Sequence, residues 1–473
     1  MSPDIPYGRD YPDQPWIDRD GEPMDDGKPV EVHRGQARLA YRVADRYSGQ
    51  MLHVTGLGWH QWDGTRFIID DRGATTRSVL AELRRALAAS LDDKELRADV
   101  RKCESATGVA GVLSLASALD PFASAVNDLD ADPHLLNVAN GTLDLRTLEL
   151  HPHSAVDRMT KVCRGAYDPD AKSDVWEAFL ERVLPDEPVR RFMQRLIGVA
   201  LLGAVREHVL AILTGTGANG KGTFYKAVCW AMGDYASTAE PDLFMHRDGA
   251  HPTGEMDLLG RRLIVVSESE RDRRLAEATM KRLTGGDTIR ARRMRQDFVE
   301  FTPSHTPLLI TNHLPKVSGD DPAIWRRIRV VPFGVVIPED ERDGELDDRL
   351  QLAADAILSW AVAGWRDYTA NGLQEPDAVL VATNDYQRSS DAIARFIEEC
   401  CHVSPSVKSI TSQMFEAWEK WRIADGAEQL SLKAFGLALT EKGYPLPKNP
   451  SGGKKWRPGI ALRTTEDGDD DSD

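Results

Sequence analysis

The stretch Gly215-Thr216-Gly217-Ala218-Asn219-Gly220-Lys221 decides how the fold of this 473-residue chain is interpreted. It follows the apolar run 209–213 and precedes residues that can continue as a helix from Thr223. A strand, a glycine-rich loop and a helix in this order turn successive backbone N–H groups toward phosphates. Lys221 is then expected to reach the β- and γ-phosphates of a nucleotide as a point charge. A glycine-rich surface loop without a ligand is the alternative.

The position after the lysine departs from the usual pattern. It normally carries Ser or Thr, whose hydroxyl helps to hold Mg²⁺. Here it is Gly222, and the hydroxyl comes one place later, on Thr223. Either Thr223 serves the phosphates while Mg²⁺ keeps an extra water, or acids elsewhere hold the metal. The residues predicted to bind the nucleotide are Gly215, Gly217, Asn219, Gly220, Lys221, Gly222, Thr223 and Phe224.

A second apolar run, 262–267, ends in Glu268-Ser269-Glu270. Short continuous apolar runs are typical of strands buried on both faces of a parallel sheet. Because such sheets bind ligands at the carboxyl ends of their strands, these acids are expected beside the glycine-rich loop. One of them, with Glu268 as the candidate, can bind Mg²⁺, and the other can orient or deprotonate the attacking water. The alternative is a solvated pair of acids at a strand end.

Two further polar positions follow in the chain. Asn312 ends the apolar run 307–311, where an amide can hold the lytic water or sense the γ-phosphate without adding negative charge. An Asn after a strand is otherwise a turn former. Arg326 and Arg327 precede the strand-like run 330–333. In a ring ATPase one such arginine stabilises charge on the γ-phosphate in the neighbouring subunit's site, whereas a solvated basic face is the alternative.

These positions, in this order, resemble the motif series of superfamily 3 helicases. The closer similarity is to the phage and plasmid primase-helicase branch related to the poxvirus NTPase, and it extends over residues 35–465, including Gly222. The shared phrases are Asn219-Gly220-Lys221-Gly222-Thr223-Phe224, Lys281-Arg282-Leu283-Thr284-Gly285-Gly286-Asp287, Thr311-Asn312-His313-Leu314-Pro315 and Ile324-Trp325-Arg326-Arg327.

The resemblance implies an α/β fold: a P-loop, AAA+-like ATPase core with a parallel sheet, after a mixed α+β and helical N-terminal region and before a C-terminal winged helix. The expected segments are an acidic tail (1–30), a small mixed α/β region (31–130), a helical collar (131–205), the ATPase core (206–335), a helical extension (336–402), the winged helix (403–463) and a second acidic tail (464–473).

Two basic segments, 281–296 and 404–463, suggest contact with DNA. Residues 288–301 have the pattern of a β-hairpin, which in this superfamily projects into the ring channel and grips one strand. A solvated hairpin is the alternative, and Arg292 can instead serve the nucleotide. In 404–463 we expect two helices, the second capped by Ser431, then two strands joined by 449–455; such a domain can bind duplex phosphates or dock a protein. The candidate DNA contacts are Arg290, Arg292, Arg293, Arg295, Lys454 and Lys455.

Composition limits the other possibilities. The net charge of −16 is concentrated at the ends, since residues 1–28 hold eight acids against three bases and residues 466–473 hold six acids and no base. We expect both ends to be solvated tails. No apolar run approaches the roughly 20 residues that cross a bilayer, so no membrane contact is expected. The five cysteines lack a C-x-x-C pair, which is typical of reduced thiols, and we expect a cytoplasmic location in a bacterial host.

The sequence and the resemblance together predict an ATP- and Mg²⁺-dependent DNA helicase of a phage or mobile element. It is expected to form a homo-hexamer that moves on single-stranded DNA, with 3′→5′ polarity implied by the resemblance alone. Too few residues precede the collar for a primase domain, so a separate primase or other replisome proteins are expected partners. Two alternatives stay open: a non-catalytic DNA-binding assembly factor, and an ATPase that loads DNA without unwinding it.

Overall fold

The structure is a computed structural model that describes residues 33–246, 252–268, 270, 273–292, 298–317, 321–427, 429–447 and 456–463. Both predicted acidic tails, 1–30 and 464–473, lie outside these residues. The chain divides into two compact units. The first comprises the residues up to His53 together with Asp70–Ala123, and the second comprises Val54–Ile69 together with the chain from Ser124 onward.

Helices dominate the first unit. A buried carboxylate, Glu82, is 2% exposed and accepts from Nε of Arg42 at 3.2 Å and from Nε of Arg46 at 3.0 Å. A buried charge needs such partners, and the two arginines offset the cost of burying this carboxylate among the helices. The helices are α1 (Gly35–Tyr47), α2 (Ala74–Ala89), α3 (Lys94–Cys103) and α4 (Ala106–Ala116).

The first strands are short. Strands β1 (Met51–Val54) and β4 (Ala123–Ser124) lie where the chain passes between the units, and β2 (Gly58–Trp62) pairs antiparallel with β3 (Phe67–Ile69). Next in the second unit is an antiparallel sheet of β5 (Leu135–Val138), β6 (Gly141–Asp144) and β7 (Glu149–His151).

A parallel sheet forms the centre of the second unit. Its order is β14 (Ile328–Pro332), β8 (Leu210–Thr214), β13 (Thr306–Thr311), β10 (Leu263–Glu268) and β9 (Ala236–Ala239). The apolar runs identified in the sequence form β8, β10 and β13, and their side chains fill cores on both faces of the sheet. A mixed α/β fold with a parallel sheet is therefore confirmed.

Helices cover the two faces of this sheet. They are α5 (Asp174–Val183), α6 (Glu187–Val199), α7 (Lys221–Met232), α8 (Glu277–Gly285), α9 (Pro322–Trp325), α10 (Leu346–Leu352), α11 (Ala354–Asn371) and α12 (Asp377–Ser390). Between α8 and β13, the strands β11 (Ile289–Ala291) and β12 (Val299–Phe301) form the predicted antiparallel hairpin.

The segment predicted as a helical collar, 131–205, differs from that prediction. It begins with the β5–β7 sheet, and α5 and α6 share one continuous core with the parallel sheet and α11. Helices α6 and α11 approach so closely that a Cβ atom on Gly364 would lie 2.1 Å from the carbonyl oxygen of Gln194. Continuous burial of this kind makes 131–205 part of the sheet's own core instead of a separate layer.

The C-terminal residues also differ from the predicted order. The elements are α13 (Ala392–Cys400), β15 (Cys401–Ile410), α14 (Thr411–Asp425), α15 (Leu432–Glu441) and β16 (Trp456–Leu462). Ser431 caps α15 as predicted, accepting from the backbone N–H of Ala434. However, β16 pairs with β15, which precedes the two helices, and residues 444–447 do not form the expected second strand after them. Strand β15 was not predicted, because its many polar residues give no continuous apolar run in the sequence.

Among the described helices, none combines the length and the apolar character needed to cross a lipid bilayer.

Candidate functional site

The turn between β8 and α7 has a backbone that small residues adopt most easily. Gly215, Gly217 and Gly220 have φ angles of 156°, 103° and 80°, and Ala218 has a φ of 48°. Such angles strain most L-residues. At Gly220 a Cβ atom would also lie 2.4 Å from Cγ1 of Val183, well inside van der Waals contact. The glycines therefore produce a tight strand-to-helix turn that ends at the N-terminus of α7.

The chain that leaves β14 holds this loop from one side. The backbone N–H of Phe333 donates to Thr214 O at 2.8 Å, and that of Ile337 donates to Ala218 O at 2.8 Å. Between them, Asn219 Nδ2 donates to Phe333 O at 3.1 Å. The Asn219 amide nitrogen thus donates to the backbone of the protein. Asn219 therefore positions the loop, and its contact with a nucleotide stays a prediction.

The Lys221 side chain is 4% exposed and curls back into the loop. Its Nζ donates to Gly215 O at 2.9 Å, to Asn219 Oδ1 at 3.1 Å and to Asn312 Oδ1 at 3.2 Å. The three acceptors are neutral, and burial lowers the pKa of Lys221 to about 8. A cation surrounded only by dipoles gains strongly when an anion approaches. The structure thus brings together two residues that the sequence singled out separately.

The strand register explains why Lys221 and Asn312 meet. Thr214, the last residue of β8, is opposite Thr311 of β13, which is opposite Glu268 of β10. Strands in a sheet are about 4.8 Å apart, so the Glu268 backbone is about 10 Å across from the start of the loop. Strand β13 lies between β8 and β10, and Glu268 stays a predicted site residue at the same carboxyl edge of the sheet, one strand further from the loop. Asn312 occupies the nearer place.

The acidic residues are only partly described. Glu268 ends β10 at the carboxyl edge of the sheet. Glu270 lies beyond that strand with its side chain 69% exposed, and its Oε2 is 3.4 Å from Nη1 of Arg273. Among the described residues no three His, Cys, Asp or Glu side chains gather into a metal site.

Three residues predicted to contact the nucleotide lie in the first turn of α7, and they differ in burial. Phe224 is fully buried, with its ring centre 5.9 Å from that of Trp176 and 6.1 Å from that of Phe333. The Phe224 side chain therefore belongs to the core beneath the helix and does not face the loop. Gly222 and Thr223 are half-buried. A methyl group on Gly222 would have no side chain or neighbouring segment within 4 Å.

We expect Gly222→Ser to fold normally and to lower the Mg²⁺ concentration that gives half-maximal ATP hydrolysis. The added hydroxyl fits the open space, where it can replace one water of the metal, and Ser is better than Gly in a helix by roughly 0.5 kcal/mol. Gly222→Ala is the matched control, because it adds the Cβ atom without the hydroxyl. If the two variants require the same Mg²⁺ concentration, the added hydroxyl does not reach the metal, and residues outside α7 hold it.

The lowered pKa of Lys221 predicts that nucleotide affinity depends on pH. A bound triphosphate favours the charged ammonium, so binding raises the pKa of Lys221 above about 8. Affinity should then be constant below pH 8 and weaken as the pH rises from about 8 toward the higher pKa of the complex, by up to tenfold per pH unit. Titration of a fluorescent ATP analogue from pH 7 to pH 10 measures this. A flat profile would contradict it.

The two arginines lie at the other end of the sheet. They precede β14, whose first residue, Ile328, is opposite Leu210 at the start of β8. The length of a five-residue strand, about 15 Å, separates them from the loop. Arg326 Nε donates to Pro322 O at 3.2 Å and Arg327 Nη1 donates to Ala323 O at 2.8 Å, so each arginine is bound to a carbonyl oxygen of α9; Arg326 is exposed and Arg327 is half-buried. The structure therefore does not bring Arg326 or Arg327 to Lys221 of the same chain.

The described part of the basic hairpin has one apolar and one polar face. Residues of β11 and β12 that alternate with Arg290 are buried. The guanidinium carbons of Arg290 and Arg292 lie 4.8 Å and 4.6 Å from the ring centre of Phe298, and Arg290 Nε is 3.6 Å from Glu300 Oε1. Both arginines are exposed. Arg293 and Arg295 of the hairpin, and Lys454 and Lys455 near the C-terminus, lie outside the described residues.

Sequence reasoning missed the residues that support the loop. Val183 closes against Gly220, and Phe333 and Ile337 hold the loop backbone. Two of these contacts use backbone atoms, which leave no residue-type signal. The strained Gly220 could have indicated a close neighbour, but not which helix supplies it.

Two protein-family profiles match the chain in part. The family described as "D5 N terminal like" matches residues 40–185, and a family of unknown function (DUF5906) matches residues 213–327. The second match begins at the end of β8 and includes the glycine-rich loop, Lys221, Asn312 and both arginines.

Several curated viral proteins are similar to part of the chain. "Putative helicase L207/L206" of Acanthamoeba polyphaga mimivirus is 26% identical over 296 residues, which are 58% of this chain and 31% of the relative. "Putative helicase 022R" of Frog virus 3 (isolate Goorha) is 28% identical over 271 residues, 52% and 28% of the two chains. "Putative primase C962R" of African swine fever virus (isolate Warthog/Namibia/Wart80/1980) is 24% identical over 344 residues, 66% and 35%. The chain thus spans about a third of the length of these relatives.

Among solved structures, "The A form apo structure of NrS-1 C terminal region-CTR" aligns with 91% of this chain and 100% of its own, at 10% identity and a TM-score of 0.49.

Proposed function

We propose that this chain is an ATP-dependent replicative DNA helicase of a phage or mobile element. It would hydrolyse ATP in a hexameric ring, translocate on single-stranded DNA and unwind duplex. The observation that carries the proposal is the contact of Lys221 with Asn312 inside a strained glycine-rich loop, at the carboxyl edge of a parallel sheet. The similar viral proteins named as helicases and a primase support the same class of function.

The loop and Lys221 would bind the triphosphate. Backbone N–H groups at the start of α7 point toward the phosphates, and the helix dipole favours negative charge there. Lys221 would exchange its three neutral acceptors for phosphate oxygens, which releases the amide oxygen of Asn312 to accept a hydrogen bond from the attacking water. Binding and alignment of the water would thus be linked through one side chain.

The acidic strand would complete the reaction. A Mg²⁺ ion held by Glu268, the phosphates and Thr223 would neutralise charge that develops on the phosphate oxygens. Glu268 or Glu270 would orient or deprotonate the water across the site from Lys221. The 10 Å spacing estimated between the Glu268 backbone and the loop leaves room for a γ-phosphate and a water between them.

The site would be finished by a neighbouring subunit. Because the arginines lie at the opposite edge of the sheet from Lys221, they can act on ATP only in another protomer. Each arginine donates one hydrogen bond to a carbonyl oxygen of α9, but Arg326 suits this role better than Arg327 because it is exposed and Arg327 is half-buried. The hexameric ring is therefore part of the catalytic proposal.

The hairpin arginines would hold single-stranded DNA in the channel of this ring. We expect Arg290→Ala and Arg292→Ala each to weaken binding of oligonucleotides of any sequence and to lower the slope of log affinity against log salt by about 0.7. Fluorescence anisotropy from 50 to 300 mM salt measures the slope. Arg388→Ala, which removes an exposed arginine on α12, is the matched control and should leave it unchanged. A duplex contact through a C-terminal winged helix remains a prediction.

The proposal has a direct test. ATP hydrolysis with and without single-stranded DNA, and strand displacement from a forked duplex, should both be present in the wild type and absent in Lys221→Ala. Hydrolysis no faster than in Lys221→Ala would favour a non-catalytic DNA-binding assembly factor, for which Gly222 is the supporting residue. DNA-stimulated hydrolysis without strand displacement would favour an ATPase that loads DNA.

A further inference from the structure

Helix α12 lies along the free edge of the parallel sheet, beside β14. Thr383 Oγ1 accepts from the backbone N–H of Val330 at 3.0 Å, which satisfies an amide that the edge strand leaves unpaired. The same hydroxyl donates to Val379 O at 2.7 Å within the helix. About one turn further along α12, Tyr386 contacts two loops: the one that follows Asn312 and the one that carries Arg326.

The Tyr386 side chain is buried, and its two ends contact different loops. The hydroxyl donates to the carbonyl oxygen of Pro315, which is three residues after Asn312. The ring meets the ring of Trp325 edge to face, with centres 5.2 Å apart. Trp325 is 7% exposed and directly precedes Arg326. Burial raises the pKa of the Tyr386 phenol, so the hydroxyl stays protonated and keeps donating.

Side-chain hydrogen bonds also fix the backbone of the two loops that Tyr386 contacts. After β13, Thr311 Oγ1 accepts from the His313 N–H at 3.0 Å and donates to His313 O at 2.7 Å, which sets the turn that carries Asn312. Asp321 caps the short helix α9, accepting from the N–H of Ala323 at 2.8 Å. Tyr386 joins the far ends of these two turns through one rigid aromatic ring.

We propose that Tyr386 is a positioning residue for the proposed ATP hydrolysis, fixing the Asn312 turn of its own subunit and the Trp325–Arg326 turn that serves the neighbouring one. This inference rests on the proposed function. Only Asp391 separates α12 from α13, so the helix that carries Tyr386 is directly followed by the C-terminal elements of the chain. A displacement of one turn should therefore change the position of the other.

The test is Tyr386→Phe, which keeps the ring on Trp325 and removes only the hydroxyl. We expect kcat for DNA-stimulated ATP hydrolysis to fall about tenfold, since small misplacements of aligned groups cost rates of this order, while KM for ATP and the Kd of an ATP analogue stay within about twofold. Trp325→Phe, which loosens the other contact and keeps an aromatic side chain, should lower kcat in the same way.

Thr383→Val is the matched control, because it loosens the docking of α12 on β14 and touches neither turn. It should lower the thermal midpoint and leave kcat within about twofold of the wild type. If Tyr386→Phe leaves kcat unchanged, or if Thr383→Val lowers it equally, Tyr386 has no positioning role and the inference is overturned while the proposed function stands. A wild type no faster than Lys221→Ala overturns both.

Discussion

Replacing Lys221 with alanine should lower kcat/KM for ATP hydrolysis by at least about a hundredfold and abolish strand displacement. Loss of one preorganised group that stabilises charge in a dry site costs this much in other enzymes. In this chain the effect should include binding, since Lys221 is buried at the base of the loop and no other described lysine contacts it. Nucleotide affinity should therefore fall together with kcat.

Lys226→Ala is the matched control for this experiment. Lys226 lies on the same helix, five residues on, with a 60% exposed side chain whose Nζ is 3.4 Å from Asp347. Its loss should change neither affinity nor rate by more than about twofold, because exposed ion pairs contribute little. If Lys221→Ala bound and hydrolysed ATP like Lys226→Ala, the glycine-rich loop would be structural only.

The second large effect is expected for Arg326→Ala. Arginines that act from a neighbouring subunit are worth about a thousandfold or more in kcat, so hydrolysis should be nearly lost. Binding of an ATP analogue should persist, because the Lys221 site of the same subunit is intact. Arg327→Ala is the natural comparison, and it should act mainly on stability, since the Arg327 side chain is half-buried and donates to Ala323 O of α9.

Mixing variants tests whether the arginine acts between subunits. A Lys221→Ala subunit has an intact Arg326 that it can offer to an Arg326→Ala neighbour, whose own Lys221 is intact. An equimolar mixture of the two inactive proteins should therefore recover part of the wild-type hydrolysis. No recovery under conditions in which mixed assemblies are demonstrated by native mass spectrometry would place Arg326 outside the neighbouring site.

The strands could be predicted from sequence, but their order could not. The runs that form β8, β10 and β13 are continuous and apolar, and this composition alone indicates buried parallel strands. Nothing local shows that β13, which follows β10 after a helix and a hairpin, inserts between β10 and β8. That order depends on packing between distant segments, and it places Asn312 nearer than Glu268 to the loop.

The differences at the site also have physical causes. Phe224 follows the glycine-rich loop in the motif, but at 3.6 residues per helical turn it faces the opposite side from the loop and enters the core. Tyr386 carries no motif, because its contacts are a backbone carbonyl and a ring from two other segments. Lys221 and Asn312 could be singled out because a lysine after a glycine-rich loop is a recognisable pattern, and because Asn312 ends the third apolar run in the same series.

The shared core of α5, α7 and α11 has a consequence for how the protein is synthesised. Trp176 and Trp360 are packed edge to face with ring centres 5.3 Å apart, and Trp365 Nε1 donates to Leu145 O at 2.7 Å. A nascent chain that already carries the glycine-rich loop contains Trp176 but still lacks the two tryptophans of α11 that pack in this core. Until the ribosome has released α11, that apolar surface is available to chaperones or to aggregation, so the core around the parallel sheet should mature late in translation.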